Sequence, residues 1–171
     1  MNLEDLPPVE LMWEGKFVRA LRRGKWEYAS RARNIGAVVI LAEFEGKVIL
    51  VDQPRVAPDC RCIELPAGLV GDKDPDATVE GTAIKELEEE TGFTAERVER
   101  LGEFYSSPGM LSEGFTIVRA HGVRQIGEGG GDENEDIRVH LVPRTDIPNF
   151  IEQKRAEGFG VDAKLLLLLN F

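Results

Sequence analysis

GLVGDKDPDATVEGTAIKELEEETGF, residues 68–93, contains a loop, a helix and a stop in immediate succession. Residues 71–76 are rich in Gly, Asp and Pro, the composition of a loop. Asp76 or Thr78 stands where a helix cap is needed, and Thr91-Gly92 ends the helix. Four glutamates fall within the five positions 86–90. At about 100° per residue, Glu86, Glu89 and Glu90 share one side of that helix, while Ala83 and Leu87 form a neighbouring stripe that can face a core. Glu88 points elsewhere. Like charges one turn apart cost a few tenths of a kcal/mol per pair, so the stretch is either a solvated face or the bed of a positive charge. Carboxylates at i, i+3 and i+4 make an oxygen-rich site suited to Mg²⁺ or Mn²⁺ rather than to a soft metal.

On either side of this segment the sequence reads mainly as strands. KFVRAL and KWEYASR flank Arg22-Arg23-Gly24, which suits a hairpin turn. AVVILAEFEGKVILVDQPR holds two apolar runs broken at 43–47 around Gly46, predicting a second hairpin with largely buried strands. CRCIELPAG is a short strand ending at Pro66 and Gly68. ERVERLGEFYSS, GFTIVRAHGV and DIRVHLVP alternate as further strands, and GEGGGDENED forms a flexible acidic loop between the last two. Residues 147–157 and 162–169 read as closing helices separated by Gly158 and Gly160. The fold class is therefore α+β, with a mixed sheet, one central helix and helices near the end.

Composition narrows the function. A chain of 171 residues, 42% hydrophobic and 30% charged, suits one soluble domain with a core. A net charge of −10 argues against nucleic acid as a partner. It is compatible with an anionic small molecule, provided metal ions or a few arginines neutralise it locally. Cys60 and Cys62 have no second Cys/His pair to form a zinc site, so a reduced cytoplasmic protein is expected. MNLEDLPPVE lacks the basic and apolar regions of a secretory signal, and the apolar run 165–169 is too short to span a membrane.

Residues 68–93 resemble the Nudix box, whose pattern is G-x5-E-x7-R-E-U-x-E-E-x-G-U with U apolar. Lys85 stands at the Arg position, followed by Glu86, Leu87, Glu89, Glu90, Gly92 and Phe93. ELPAG at 64–68 resembles the strand end that precedes the box in ADP-ribose pyrophosphatases. Two departures stand out. Measured from Gly68, the loop is three residues longer than the pattern and places no glutamate at the first E position. Lys85 keeps the positive charge of the family's Arg but loses its bidentate fork.

The resemblance runs over residues 14–169 and implies a Nudix α/β/α sandwich at 35–171. It also implies an N-terminal β-rich segment at 1–34 that forms a homodimer. SSPGMLSEG at 106–114 looks like the family's substrate loop, and DENEDIRVHLVP at 132–143 looks like its mobile catalytic loop. Carried over position by position, Phe17 and Trp26 would sandwich an adenine between two subunits. Arg31 and Arg55 would contact a diphosphate, and Glu113 a ribose. Glu86, Glu89, Glu90 and the carbonyl of Ala67 would hold the metal. The general base would be Glu133 or Glu135, with Glu133 matching best, and glycines 129–131 would let the loop close. Trp13 has no functional match and is expected to pack.

The implied activity is Mg²⁺-dependent hydrolysis of ADP-ribose to AMP and ribose 5-phosphate. The nearest rival is another nucleoside diphosphate sugar such as GDP-mannose, because the box reads neither sugar nor base. The rival from another class is a non-catalytic module that senses ADP-ribose. Its usual mark is loss of the box glutamates, which are intact here.

Overall fold

The computed structural model describes residues 2–33, 35–72, 74–133 and 135–169. Strands β1 (Glu10–Glu14), β2 (Val18–Arg23) and β3 (Trp26–Arg31) form an antiparallel sheet, and Gly24 at φ +62° makes the expected turn. The chain continues through β4 (Gly36–Leu41), β5 (Glu43–Phe44), β6 (Lys47–Arg55), β7 (Cys60–Glu64), β8 (Ala67–Val70) and helix α1 (Val79–Thr91). Then come β9 (Phe93–Thr94), β10 (Arg97–Tyr105), β11 (Gly114–His121), β12 (Arg124–Gln125) and β13 (Arg138–Pro143). Helix α2 (Ile147–Ala156), β14 (Gly160–Val161) and a 3-10 segment at Ala163–Leu168 close the fold. The last of these replaces the second helix expected there.

Two mixed sheets make the central layer. One has the order β10-β11-β4-β8, with β11 parallel to β4; the other has the order β13-β6-β7-β14, with β7 parallel to β14. The second hairpin is thus shorter than its apolar runs predict. β4 and β6 lie in different sheets, and only Glu43 and Phe44 fold back on Lys47 and Val48. The runs mislead because they are buried on both faces and so carry no pairing information. Val38, Ile40, Ala42 and Ile49 pack towards Ala83, Leu87 and Phe93 on the α1 side. Val39, Leu41, Val48 and Leu50 pack towards Ile147, Ile151, Leu165 and Leu168 on the other. Alternation along each strand therefore builds an α/β/α sandwich.

α1 forms where its caps predict. Thr78 accepts a hydrogen bond from the Gly81 N–H at 3.1 Å, and Gly92 ends the helix at φ +72°. Its last carbonyls are satisfied by the glycine-rich loop. Ile126 and Gly127 donate to the Gly92 carbonyl (2.7 and 3.0 Å), Gly130 to Glu90 (2.9 Å) and Gly131 to Glu89 (3.0 Å). In the structure these glycines allow the loop to dock closely on the helix end. A Cβ on Gly129, at φ +72°, would stand 2.3 Å from the carbonyl carbon of Thr91.

That contact generates a comparison. Gly46 is also left-handed, at φ +75°, but nothing lies within 4 Å of its missing Cβ. Gly46→Ala should lower the unfolding free energy by about 1 kcal/mol, the conformational cost alone. Gly129→Ala must also displace backbone and should lose ~2 kcal/mol or more in urea unfolding. Equal losses would show that the loop does not bear on the helix end.

Candidate active site

At the end of β7 the chain crosses from one mixed sheet to the other through Leu65 and Pro66, bringing Ala67 and Gly68 against α1. The Ala67 N–H donates to Glu90 Oε2 at 3.1 Å. Glu86 lies so close to Gly68 that a Cβ there would stand 2.2 Å from its Cγ. The glycine is therefore required by the carboxylate beside it. From β6, Arg55 makes a bidentate pair with buried Glu64, both bonds at 2.7 Å. Lys85 reaches one turn along α1 to Glu89, at 3.2 Å.

Arg55, Ala67, Gly68, Lys85 and the three glutamates of α1 border a cleft of about 740 Å³. α1 contributes Lys85, Glu86, Glu89 and Glu90; Arg31, Gln53, Arg55 and Ala67 come from strands; Asp72, Asp74, Asp132 and Glu135 come from loops. Negative charge is in excess, and one carboxylate is deeply buried: Glu90 is 4% exposed. Burial pushes its carboxyl up to about 8, with the charges of Glu86 and Glu135 adding to the effect and the Ala67 N–H and Arg55 opposing it. Among the described residues, no three His, Cys, Asp or Glu side chains already surround one point at ligand distance. The donor set nevertheless fits a hard divalent cation: carboxylate oxygens on one helix face, one of them buried and holding its proton to about 8 in the absence of a cation.

The structure brings together Ala67, Glu86, Glu89, Glu90, Arg31, Arg55 and Glu135 around the cleft. Glu113 lies behind it, hydrogen-bonded to Arg31. Glu133 is exposed and does not border the cleft. Phe17 and Trp26 stand outside it on the N-terminal sheet, 60% and 48% exposed. Trp13, expected to pack, is 60% exposed on β1. Gln53, Asp72, Asp74 and Asp132 were not foreseen. Gln53 could have been found by strand alternation, since it shares the face of Arg55 two residues on. The free thiols of Cys60 and Cys62 lie 3.9 Å apart, and burial together with the Cys60 contact pushes Cys62 up to about 11, which keeps it protonated.

Fold and site together present clustered carboxylates of a single helix to one cleft. The chain belongs to the Nudix family: the NUDIX domain matches residues 32–163. It is 35% identical over 154 residues to the ADP-ribose pyrophosphatase of Bacillus subtilis (strain 168), covering 88% of this chain and 79% of that one. It is 36% identical over 147 residues to the GDP-mannose pyrophosphatase of Cronobacter sakazakii (strain ATCC BAA-894), covering 81% and 73%. The methanol dehydrogenase activator of Bacillus methanolicus is 33% identical over 153 residues, covering 88% and 79%. A crystal structure of an ADP compounds hydrolase shares the fold, with a TM-score of 0.67 at 24% identity, covering 86% of this chain and 82% of that one.

Burial of Glu90 sets a pH dependence. Its carboxyl binds a proton more tightly in the folded chain than in the unfolded one. Its contribution therefore lowers stability as pH rises from the ordinary carboxylate range through about 8. In chelator, urea unfolding should show a free energy that declines over that window. Glu90→Gln should flatten the decline, and a divalent cation should reverse it. A wild-type profile that rises with pH, unchanged in Glu90→Gln, would contradict the burial argument.

Proposed function

We propose that this Nudix hydrolase cleaves the diphosphate of ADP-ribose, or of a closely related nucleoside diphosphate sugar, with Mg²⁺ as the working cation and AMP and ribose 5-phosphate as products. The observation that carries the reading is the convergence of Glu86, Glu89, Glu90 and Glu135 on one cleft. The relatives named for ADP-ribose and GDP-mannose hydrolysis support the substrate class.

Glu86, Glu89, Glu90 and the Ala67 carbonyl would hold the cation. When bound, Mg²⁺ neutralises diphosphate oxygens and makes coordinated water more acidic. The chain's own residues do the rest. Arg31 and Arg55 face the cleft as diphosphate contacts, and Glu113 orients Arg31. A loop carboxylate takes the proton of the attacking water as one P–O bond forms and the bridging P–O bond breaks. The sequence match favours Glu133 for that role; we assign it to Glu135, which borders the cleft and whose charge bears on Glu90.

Residues 1–34 would then act as a dimerising and adenine-binding segment ahead of the hydrolase unit at 35–171. Leu11, Met12, Trp13, Phe17, Val18 and Trp26 are exposed on or beside β1–β3, an apolar surface suited to a second copy of the chain. No helix among the described residues is long and apolar enough to cross a membrane, and free thiols suit a reducing cytoplasm.

A panel of ADP-ribose, GDP-mannose, diadenosine polyphosphates and dNTPs, assayed with and without Mg²⁺, tests the substrate. ADP-ribose turnover that requires Mg²⁺ is expected. Preferred GDP-mannose turnover would redirect the reading within its class, and tight ADP-ribose binding without products would make the chain a sensor. Glu86→Gln and Glu90→Gln should each cut kcat by orders of magnitude, whereas Glu88→Gln should be nearly silent. Glu135→Gln should lower kcat about 10²–10⁴-fold with KM little changed, and Glu133→Gln far less. The reverse order would return the base to Glu133.

A further inference from the structure

On the face of the β13-β6-β7-β14 sheet turned away from the cleft, one guanidinium joins two distant parts of the chain. Arg61, on β7, donates through Nε to Asp52 Oδ1 and through Nη2 to the Asp52 carbonyl at 3.1 Å. The same group reaches across to Asp136, through Nη1 to Oδ2 at 2.5 Å and through Nη2 to the carbonyl oxygen at 2.8 Å. Four hydrogen bonds thus use most of the five N–H groups of its planar fork. Asp52 is 1% exposed, and its second oxygen meets His140 Nε2 at 2.6 Å. Burial raises the Asp52 carboxyl, but the bonds from His140 and Arg61 outweigh it and hold the group below the usual carboxylate range. The anchor is therefore a fixed, ionised group in the sheet.

Asp136 is the next residue after Glu135. The other end of this stretch is fixed as well, since Gly130 and Gly131 donate to carbonyls of α1. Between the two fixtures the chain makes a tight turn. The Glu135 N–H donates to the Asp132 carbonyl, and the Asp132 N–H donates to Glu135 Oε2, both at 3.0 Å. Arg61 itself does not border the cleft.

We propose that Arg61 is a positioning residue for the hydrolysis: it clamps the root of the loop that presents Glu135 to the cleft. This rests on the reading of Glu135 as the base. Proton abstraction tolerates little displacement, and an error of about 1 Å can cost about 10²-fold in rate. The clamp needs an arginine, because a lysine is a point charge that cannot serve Asp52 and both oxygens of Asp136 together.

Two variants separate positioning from folding. Asp136→Ala removes a carboxylate from an exposed residue and leaves the Asp52–Arg61–His140 group whole. Arg61→Lys keeps a charge beside Asp52 but loses the fork. Each should lower kcat roughly 10- to 100-fold with KM within about twofold. The double variant should be no slower than the slower single one, because both break the same clamp. Amide hydrogen exchange over 131–137, read without substrate, should quicken about tenfold in both while α1 keeps its protection. Wild-type kcat and wild-type exchange in Asp136→Ala would overturn the proposal, as would a loss confined to KM. A wild-type protein inactive on every substrate would instead overturn the hydrolysis reading, and faster exchange in the variants would still support the clamp.

Discussion

Burial of the Glu90 carboxylate shapes everything around it. An ionised carboxylate removed from water is costly unless paired and hydrogen-bonded; Glu90 receives only partial relief from the Ala67 N–H and the more distant Arg55, so without a cation it holds its proton to about 8. Supplying that N–H requires the strand crossing at Leu65-Pro66-Ala67, itself pinned by the Ile40 N–H donating to the Pro66 carbonyl at 2.8 Å. Placing Glu86 alongside requires a glycine at 68. The cations of the cleft are already engaged: Arg55 with Glu64, Arg31 with Glu113 and Lys85 with Glu89. On the proposed function, a diphosphate entering this cleft would depend on imported positive charge, because the resident arginines are already paired with carboxylates. A bound cation would reconcile the acidity of the site with that of such a substrate.

What could be read in advance follows from the range of the interactions involved. The helix at 79–91, its Thr78 and Gly92 caps and the shared face of Glu86, Glu89 and Glu90 are all local, and all were legible. The N-terminal hairpin at Gly24 was legible for the same reason. The partner of β4 was not: a run buried on both faces can pair with any neighbour, and it took β8 and β11 rather than β6. The close docking of glycines 129–131 was not legible either, because it depends on α1, a distant partner, and not on the residues themselves. Sequence spacing also gave little to separate Glu133 from Glu135. Their difference in the fold arises from the turn at Asp132 and from Asp136, whose partner Arg61 lies 75 residues earlier.

The two departures from the Nudix pattern share one physical account. Counted back eight positions from Lys85, the first E position is Ala77, which borders the cleft and offers no carboxylate. Lys85 takes its partner from its own helix instead, at Glu89. A flexible ammonium suits that i,i+4 reach better than it would suit a bidentate grip across a loop. Gly71 stands six positions before Ala77, so counted from Gly71 the spacing to Lys85 is that of the pattern, and the loop is anchored by Asp72, paired to Arg33 at 2.7 Å just beyond β3.

These substitutions leave the three helix carboxylates held to different degrees. Glu90 is fixed by burial and a backbone N–H, and Glu86 fills the space that a Cβ on Gly68 would take. Glu89 is tied by a solvent-exposed pair with Lys85, an interaction worth only a few tenths of a kcal/mol. In the proposed metal role, a carboxylate fixed by the backbone and one held only by an exposed ion pair would share the same cation. The firmly held carboxylate thus stands where β8 meets the helix, and the loosely held one stands in an ion pair open to solvent.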